Sequence, residues 1–363
     1  LVEFTNQFVE KINHRLKEMP IVARTNELGS VRLTKYSDSH LIEPVVKDII
    51  STDLTGTTCV LTHTNADALQ VTGLLVNEGL PAKLIQTNEG FNLYNLLEVR
   101  YFIEQLQLTE NTYTISDNNW NAAKRKLWDK FKNSTKIEIC INMIKDFELS
   151  NPKNKYQSDI EVFIKESKLE DFVSANGEMI FVSTIHKAKG KEFDNVFIML
   201  NGFNVRTDER KRQLYVAMTR AKQGLSIHLN GSYLDDIFCQ DLVQKTDDFT
   251  YNPANILVLH LSHKDIWLDY FISKKVAISS FKSGDKLTAD KDGCRDKDGN
   301  YVVKFSGKFK EEIIKHESNG YMLTEAMINY IVYWQKKDME NEVKIILPEL
   351  KFKKQEAPTV CHT

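Results

Sequence analysis

At 363 residues, with 42% apolar and 27% charged side chains, the chain has room for two globular domains and a sizeable core. A net charge of −2 excludes a whole-molecule basic field, so any nucleic-acid contact has to be local. Five scattered cysteines with no CxxC pair argue against a zinc knuckle or a disulfide framework and fit a reducing cytoplasm, and no apolar run reaches membrane-spanning length.

Residues 1–105 alternate helix and strand: helices over 3–16, 40–51, 65–78 and 93–106, with strands over 30–36, 57–62 and 82–85. This alternation predicts the first half of a parallel sheet covered by helices. Residues 106–175 change character, with Trp120, Leu127, Trp128 and Phe131 at helical spacing and a break at NPKNKY over 151–156. They read as a small helical insertion between two halves of one α/β domain. Residues 176–250 supply the second half, with strands over 179–183, 195–200 and 225–228 and a helix over 207–222. Apolar runs at 59–62 and 181–184 read as buried central strands. Residues 251–363 have short strands expected at 256–261, 277–281, 301–305, 330–334 and 343–347, and helices at 263–271 and 309–316. That pattern predicts a small β-barrel-like C-terminal module.

Two blocks carry the chemistry: EMIFVSTIHKAKGKEFDNVFIML over 178–200 and DERKRQLYVAMTRAKQGLSIH over 208–228. They resemble the last two motifs of UvrD/Rep-type superfamily-one DNA helicases, TxHxxKGxEF and RRLxYVAxTRA. VLTHTNADALQVTGLL over 60–75 is similar to a further motif, LYRSNxxSxxLExxL, and the opening LVEFTNQFVEKINHRL to the helix that follows NYRS. The fold implied is α/β: a RecA-like, P-loop NTPase-like parallel sheet with a reduced insertion. No GxxxxGK[ST] phosphate loop occurs in the chain. The resemblance therefore implies the second motor domain without the first, inactive alone as an ATPase.

By the same resemblance Arg220, on a helical face with Arg212 and Val216, is an arginine finger, a planar cation suited to the γ-phosphoryl charge. Glu192 meets the nucleotide ribose, and Gly190 lets backbone approach closely. Thr184 and His186, just past a strand, face single-stranded DNA, with Lys189 adding charge. Thr64 and Asn65, at a helix start, carry over to the DNA side. His63 stands where the motif has arginine, and it is grouped with the γ-phosphate ligands, acting there when protonated. The implied partners are single-stranded DNA, the missing N-terminal motor domain and ATP with Mg2+, held mainly by that domain. A protein or nucleic-acid partner is left open for the β module, and no membrane is involved.

Two patterns near the C-terminus have blander readings. DKDGCRDKDGN over 290–300 lacks the ligand order of a calcium loop and reads as Asp-Gly turns. Lys304, Lys308 and Lys310 interleave with Phe305 and Phe309, as a nucleic-acid surface or as a strand with one buried face. The alternative for the whole chain is a non-catalytic nucleic-acid- or protein-binding scaffold built on a helicase fold.

Overall fold

A computed structural model describes residues 1–14, 19–23, 29–85, 91–107, 113–172, 179–188, 190–274, 278–337 and 339–355. The chain divides into two compact units, one from residues 1–85 and 175–257, the other from 86–174 and 258–363. Each is therefore built from two separate stretches of sequence.

The first unit is a seven-stranded sheet. Its spatial order is Ala82–Leu84, Ile180–Thr184, Thr58–Thr62, Phe193–Leu200, Ala221–Leu229, Ser30–Tyr36, Leu242–Asp247. The pairings are parallel, with Thr62 level with both Thr184 and Met199. Thr58–Thr62 and Ile180–Thr184 are buried at every position, as two-faced central strands require. Val45, Val46 and Ile49 of helix Ile42–Ser51 join Ala68, Val71 and Leu75 of helix Asn65–Asn77 in the core over Val60, Val182 and Phe197. Within that layer, Tyr36 Oη meets His228 Nδ1 at 2.8 Å, and His228 Nε2 lies 3.1 Å from Asp48 Oδ2. Arg32 completes the network with two bonds to Asp48, at 3.2 and 3.3 Å.

In the second unit, helices Leu97–Gln105, Asp117–Phe131, Ile137–Ser150 and Gln157–Glu166 enclose an aromatic cluster. Trp120 packs against Phe102 and Phe147, with ring centres 5.2 and 5.5 Å away. The β portion is a six-stranded sheet ordered Ile256–His260, Val343–Lys354, Tyr321–Trp334, Lys286–Asp290, Gly293–Arg295, Tyr301–Lys304. Its order is open among the described residues, where the turn pattern predicts a barrel.

Helix Leu97–Gln105, read from sequence with the first half of the α/β domain, belongs to the second unit. The helical stretch and the C-terminal stretch, read apart, share that unit. Leu96 forms a bridge with Val332, Thr135 N–H donates to Ser283 O at 2.9 Å, and Arg100 Nη2 reaches Glu342 Oε2 at 2.7 Å. Between them lies Glu98, fully buried, accepting from Ser134 Oγ at 2.5 Å and Ser283 Oγ at 3.1 Å.

The expected strand at 277–281 is instead a short 3-10 turn, Ile278–Ser280, among the residues described there. The Asp-Gly turns are present as hairpins: Lys286–Asp290 pairs with Gly293–Arg295, and Gly293–Arg295 with Tyr301–Lys304. Phe305 and Phe309 are buried and stack edge to face at 5.1 Å, which makes them core and removes them from any nucleic-acid surface.

Candidate functional site

The residues singled out in the sequence fall on the two opposite edges of the parallel sheet. Strand direction decides which residue goes where. His63, Thr64 and Asn65 follow the carboxyl end of Thr58–Thr62, and Thr184 closes Ile180–Thr184 beside it. Glu192 precedes the amino end of Phe193–Leu200, and Arg220 precedes the amino end of Ala221–Leu229. The helix Asp208–Met218 runs back between the edges, so its first turn lies at the carboxyl edge and its last at the amino edge. Ten residues separate positions 210 and 220, equivalent to roughly 15 Å of helix rise.

At the amino edge, the helix predicted over 207–222 ends at Met218, and Arg220 lies beyond it. Thr219 and Arg220 turn the chain into the next strand, where Phe193 N–H donates to Arg220 O at 2.9 Å. The Arg220 guanidinium is half-buried and folded back on its own helix. Nε donates to Val216 O at 2.9 Å, Nη1 to Lys191 O at 3.2 Å and Nη2 to Thr219 Oγ1 at 3.2 Å. The second of these bonds brings Arg220 against the residue next to Glu192, whose carboxylate is exposed. Gly190 has a φ of +85°, the left-handed region that glycine adopts without strain, and a side chain there would meet open space. The amino edge thus brings together a guanidinium, an exposed carboxylate and a glycine with open space beside it. Among the described residues, no group of three or more His, Cys, Asp or Glu side chains is gathered to hold a metal ion.

At the carboxyl edge, Thr64 is a helix N-cap. Its Oγ1 accepts from Asp67 N–H at 3.0 Å and donates to Asp67 Oδ2 at 2.7 Å, a reciprocal cap that occupies the hydroxyl. Thr184 is also buried. His186, in the short 3-10 turn Ile185–Ala188, is exposed, and Lys187 Nζ donates to Asn65 Oδ1 at 2.8 Å. Lys189 lies outside the described residues. His63 packs edge-on against Phe203, with ring centres 5.1 Å apart, and accepts from Arg210 Nη1 at 3.1 Å. Burial, reinforced by the Arg210 charge, lowers its pKa and holds the imidazole neutral at pH 7.

Two expectations change. His63 does not join Arg220 and Glu192 but sits at the other edge, where burial and the Arg210 charge work against its protonation. Arg210, which no motif pointed to, is the guanidinium beside it. The sequence signal for Arg210 was an arginine in a helix first turn otherwise opened by Asp208 and Glu209, against the usual preference for acidic residues there.

The first unit is thus a parallel sheet with helices, and the candidate residues lie on the loops at its two edges. Residues 114–232 match the UvrD-like helicase C-terminal domain family. No curated protein sequence matches the chain. Among solved structures it is similar to the C-terminal domain of a possible DNA helicase from Lactobacillus plantarum WCFS1, at 17% identity, covering 67% of this chain and 94% of that one with a TM-score of 0.32. Among the described residues no helix is long and apolar enough to cross a membrane.

Proposed function

We propose that this chain is the second motor domain of an ATP-dependent DNA helicase. The amino edge completes an ATP site whose phosphates and Mg2+ are held by a domain carrying the phosphate loop, and the carboxyl edge grips single-stranded DNA. The observation that carries the reading is the pairing of Arg220 with the Glu192 loop, through Arg220 Nη1 and Lys191 O at 3.2 Å. A guanidinium stays charged at any pH a protein tolerates, and its fork matches a phosphoryl group in transfer. To reach ATP, Arg220 exchanges its local acceptors, neutral carbonyls and a hydroxyl, for phosphate oxygens. That exchange is favourable because hydrogen bonds to an anion are the stronger ones. Glu192 would accept from ribose hydroxyls, and the Gly190 backbone can approach without a side chain in the way.

At the other edge, His186 and Lys187 face outward around the amino end of helix Asn65–Asn77, chemistry suited to phosphate oxygens and base faces. Ligands on opposite edges of one sheet let closure on ATP shift the grip on DNA. The test joins the chain to the phosphate-loop domain of its parent and measures ATP turnover with and without single-stranded DNA. Wild type should be strongly stimulated by DNA, and Arg220→Ala should lose at least about 100-fold in turnover while still binding nucleotide.

The scaffold reading has one observation in its favour: all three Arg220 contacts are local, as a purely structural arginine would make them. Absence of DNA-stimulated turnover in the wild type would select it.

A further inference from the structure

The carboxyl edge holds a guanidinium that the reading above does not use. Arg210 Nη1 lies 3.1 Å from His63 Nε2 and 3.2 Å from Nδ1, and its Cζ stands 5.6 Å from the centre of the Phe203 ring. His63 and Phe203 meet edge to face, so the two rings form a corner in which the guanidinium rests. Phe203 is buried, and His63 and Arg210 are half-buried, so the corner is anchored in the domain while its cation reaches solvent.

The partner makes the arrangement informative. A carboxylate partner would offset the charge of a half-buried arginine. Arg210 is seated on a neutral imidazole, and among the described residues no carboxylate pairs with it. Asp67, the nearby carboxylate that acts on His63, is engaged with Thr64 at 2.7 Å. The fork has five N–H donors, and His63 is its only hydrogen-bond partner among the described residues. Around it are exposed His186, which also acts electrostatically on His63, and Lys187 on Asn65 at the start of a thirteen-residue helix. The edge therefore carries positive charge held in a fixed geometry and facing outward.

We infer that Arg210 contacts a backbone phosphate of a bound single strand, with His63 as the seat that aims it. The inference rests on the strand-gripping reading of this edge and adds the residue that makes the ionic contact.

The test uses the 363-residue chain and a fluorescein-labelled oligo-dT of about twelve nucleotides, with anisotropy followed from about 50 to 300 mM KCl. Arg210→Ala should weaken binding about five- to tenfold at low salt and reduce the slope of log affinity against log salt by about 0.7, the value for one single-strand phosphate. Arg210→Lys should restore the slope but not the whole affinity, because it keeps the charge and loses the fork. His63→Phe should lower affinity with the slope unchanged, since the charge stays and only its aim is lost. If Arg210→Ala fails to fold by circular dichroism, Arg210→Gln decides in its place. A wild-type chain that binds no oligo-dT at low salt overturns the strand-gripping reading itself. Wild-type binding with an unchanged slope in Arg210→Gln or Arg210→Ala overturns the inference alone.

Discussion

Glu98 gives the second unit an unusual dependence on pH. The side chain is fully buried, Oε1 accepts from Ser134 and Ser283, and Oε2 has no partner among the described residues. Burial raises its pKa, and the two hydroxyls only partly oppose that. The folded state therefore keeps a proton that the unfolded chain releases above the ordinary glutamate range. Stability from this group is fully present below the unfolded-state pKa and is lost as pH rises through the folded-state value. Glu98→Gln keeps the size and one acceptor for both hydroxyls but cannot ionise. At low pH the exchange places an amide NH2 where Oε2 has no partner, and costs about 1–3 kcal/mol. Each tenfold change in proton affinity is worth about 1.4 kcal/mol. By pH 8, where the wild type must either hold the proton or bury a charge, the balance should have moved toward the glutamine variant. Urea denaturation followed by tryptophan fluorescence reads this unit selectively, because all four tryptophans (Trp120, Trp128, Trp267 and Trp334) lie in it. The advantage of the variant should grow between about pH 5 and pH 8. A stability difference that stays constant over that range would refute the reasoning.

Two further outcomes follow for the first unit. Thr64→Ala removes a reciprocal cap and should cost about 1 kcal/mol in far-ultraviolet circular dichroism melts, with Thr64→Ser recovering most of it. Burial tends to raise the Asp48 pKa, but His228 and Arg32 outweigh it and hold the carboxyl below its usual range. Its stabilisation is therefore present above the unfolded-state pKa and is lost as pH falls through the folded one, so Asp48→Asn should destabilise the unit at neutral pH and flatten its acid unfolding limb.

The middle of the parallel sheet was legible because its central strands are buried on both faces. The runs at 58–62 and 180–184 announce burial without any periodicity. Leu242–Asp247, the edge strand, was not legible, since LVQKTD is exposed or half-exposed throughout and resembles a loop. Tyr321–Trp334 was seen only over its last five residues. Glu325 and Met322 face solvent in its first half, and a register shift between Leu323 and Glu325 interrupts the alternation. Arg220 and Glu192 were singled out by their motifs alone. The split of the candidate site between two edges was not, because it depends on strand direction, which a motif match ignores. Arg210 was missed for a related reason: its partner lies 147 residues away and is neutral, so no charge pairing in the sequence hinted at it.

The interleaving of the two units also constrains how the protein can be made. Strand Thr58–Thr62 leaves the ribosome well before its flanking partners, which begin only at Ile180 and Phe193. At usual synthesis rates of about 5–20 residues per second, it waits roughly 6–25 s for its first neighbour. Throughout that time a five-residue strand that the folded protein buries at every position has both edges open. The intervening stretch cannot complete its own unit either, because Ser283 and the Tyr321–Trp334 strand come later still. Neither unit can be finished as a contiguous piece during synthesis, and slow, long-range closure should dominate the folding rate.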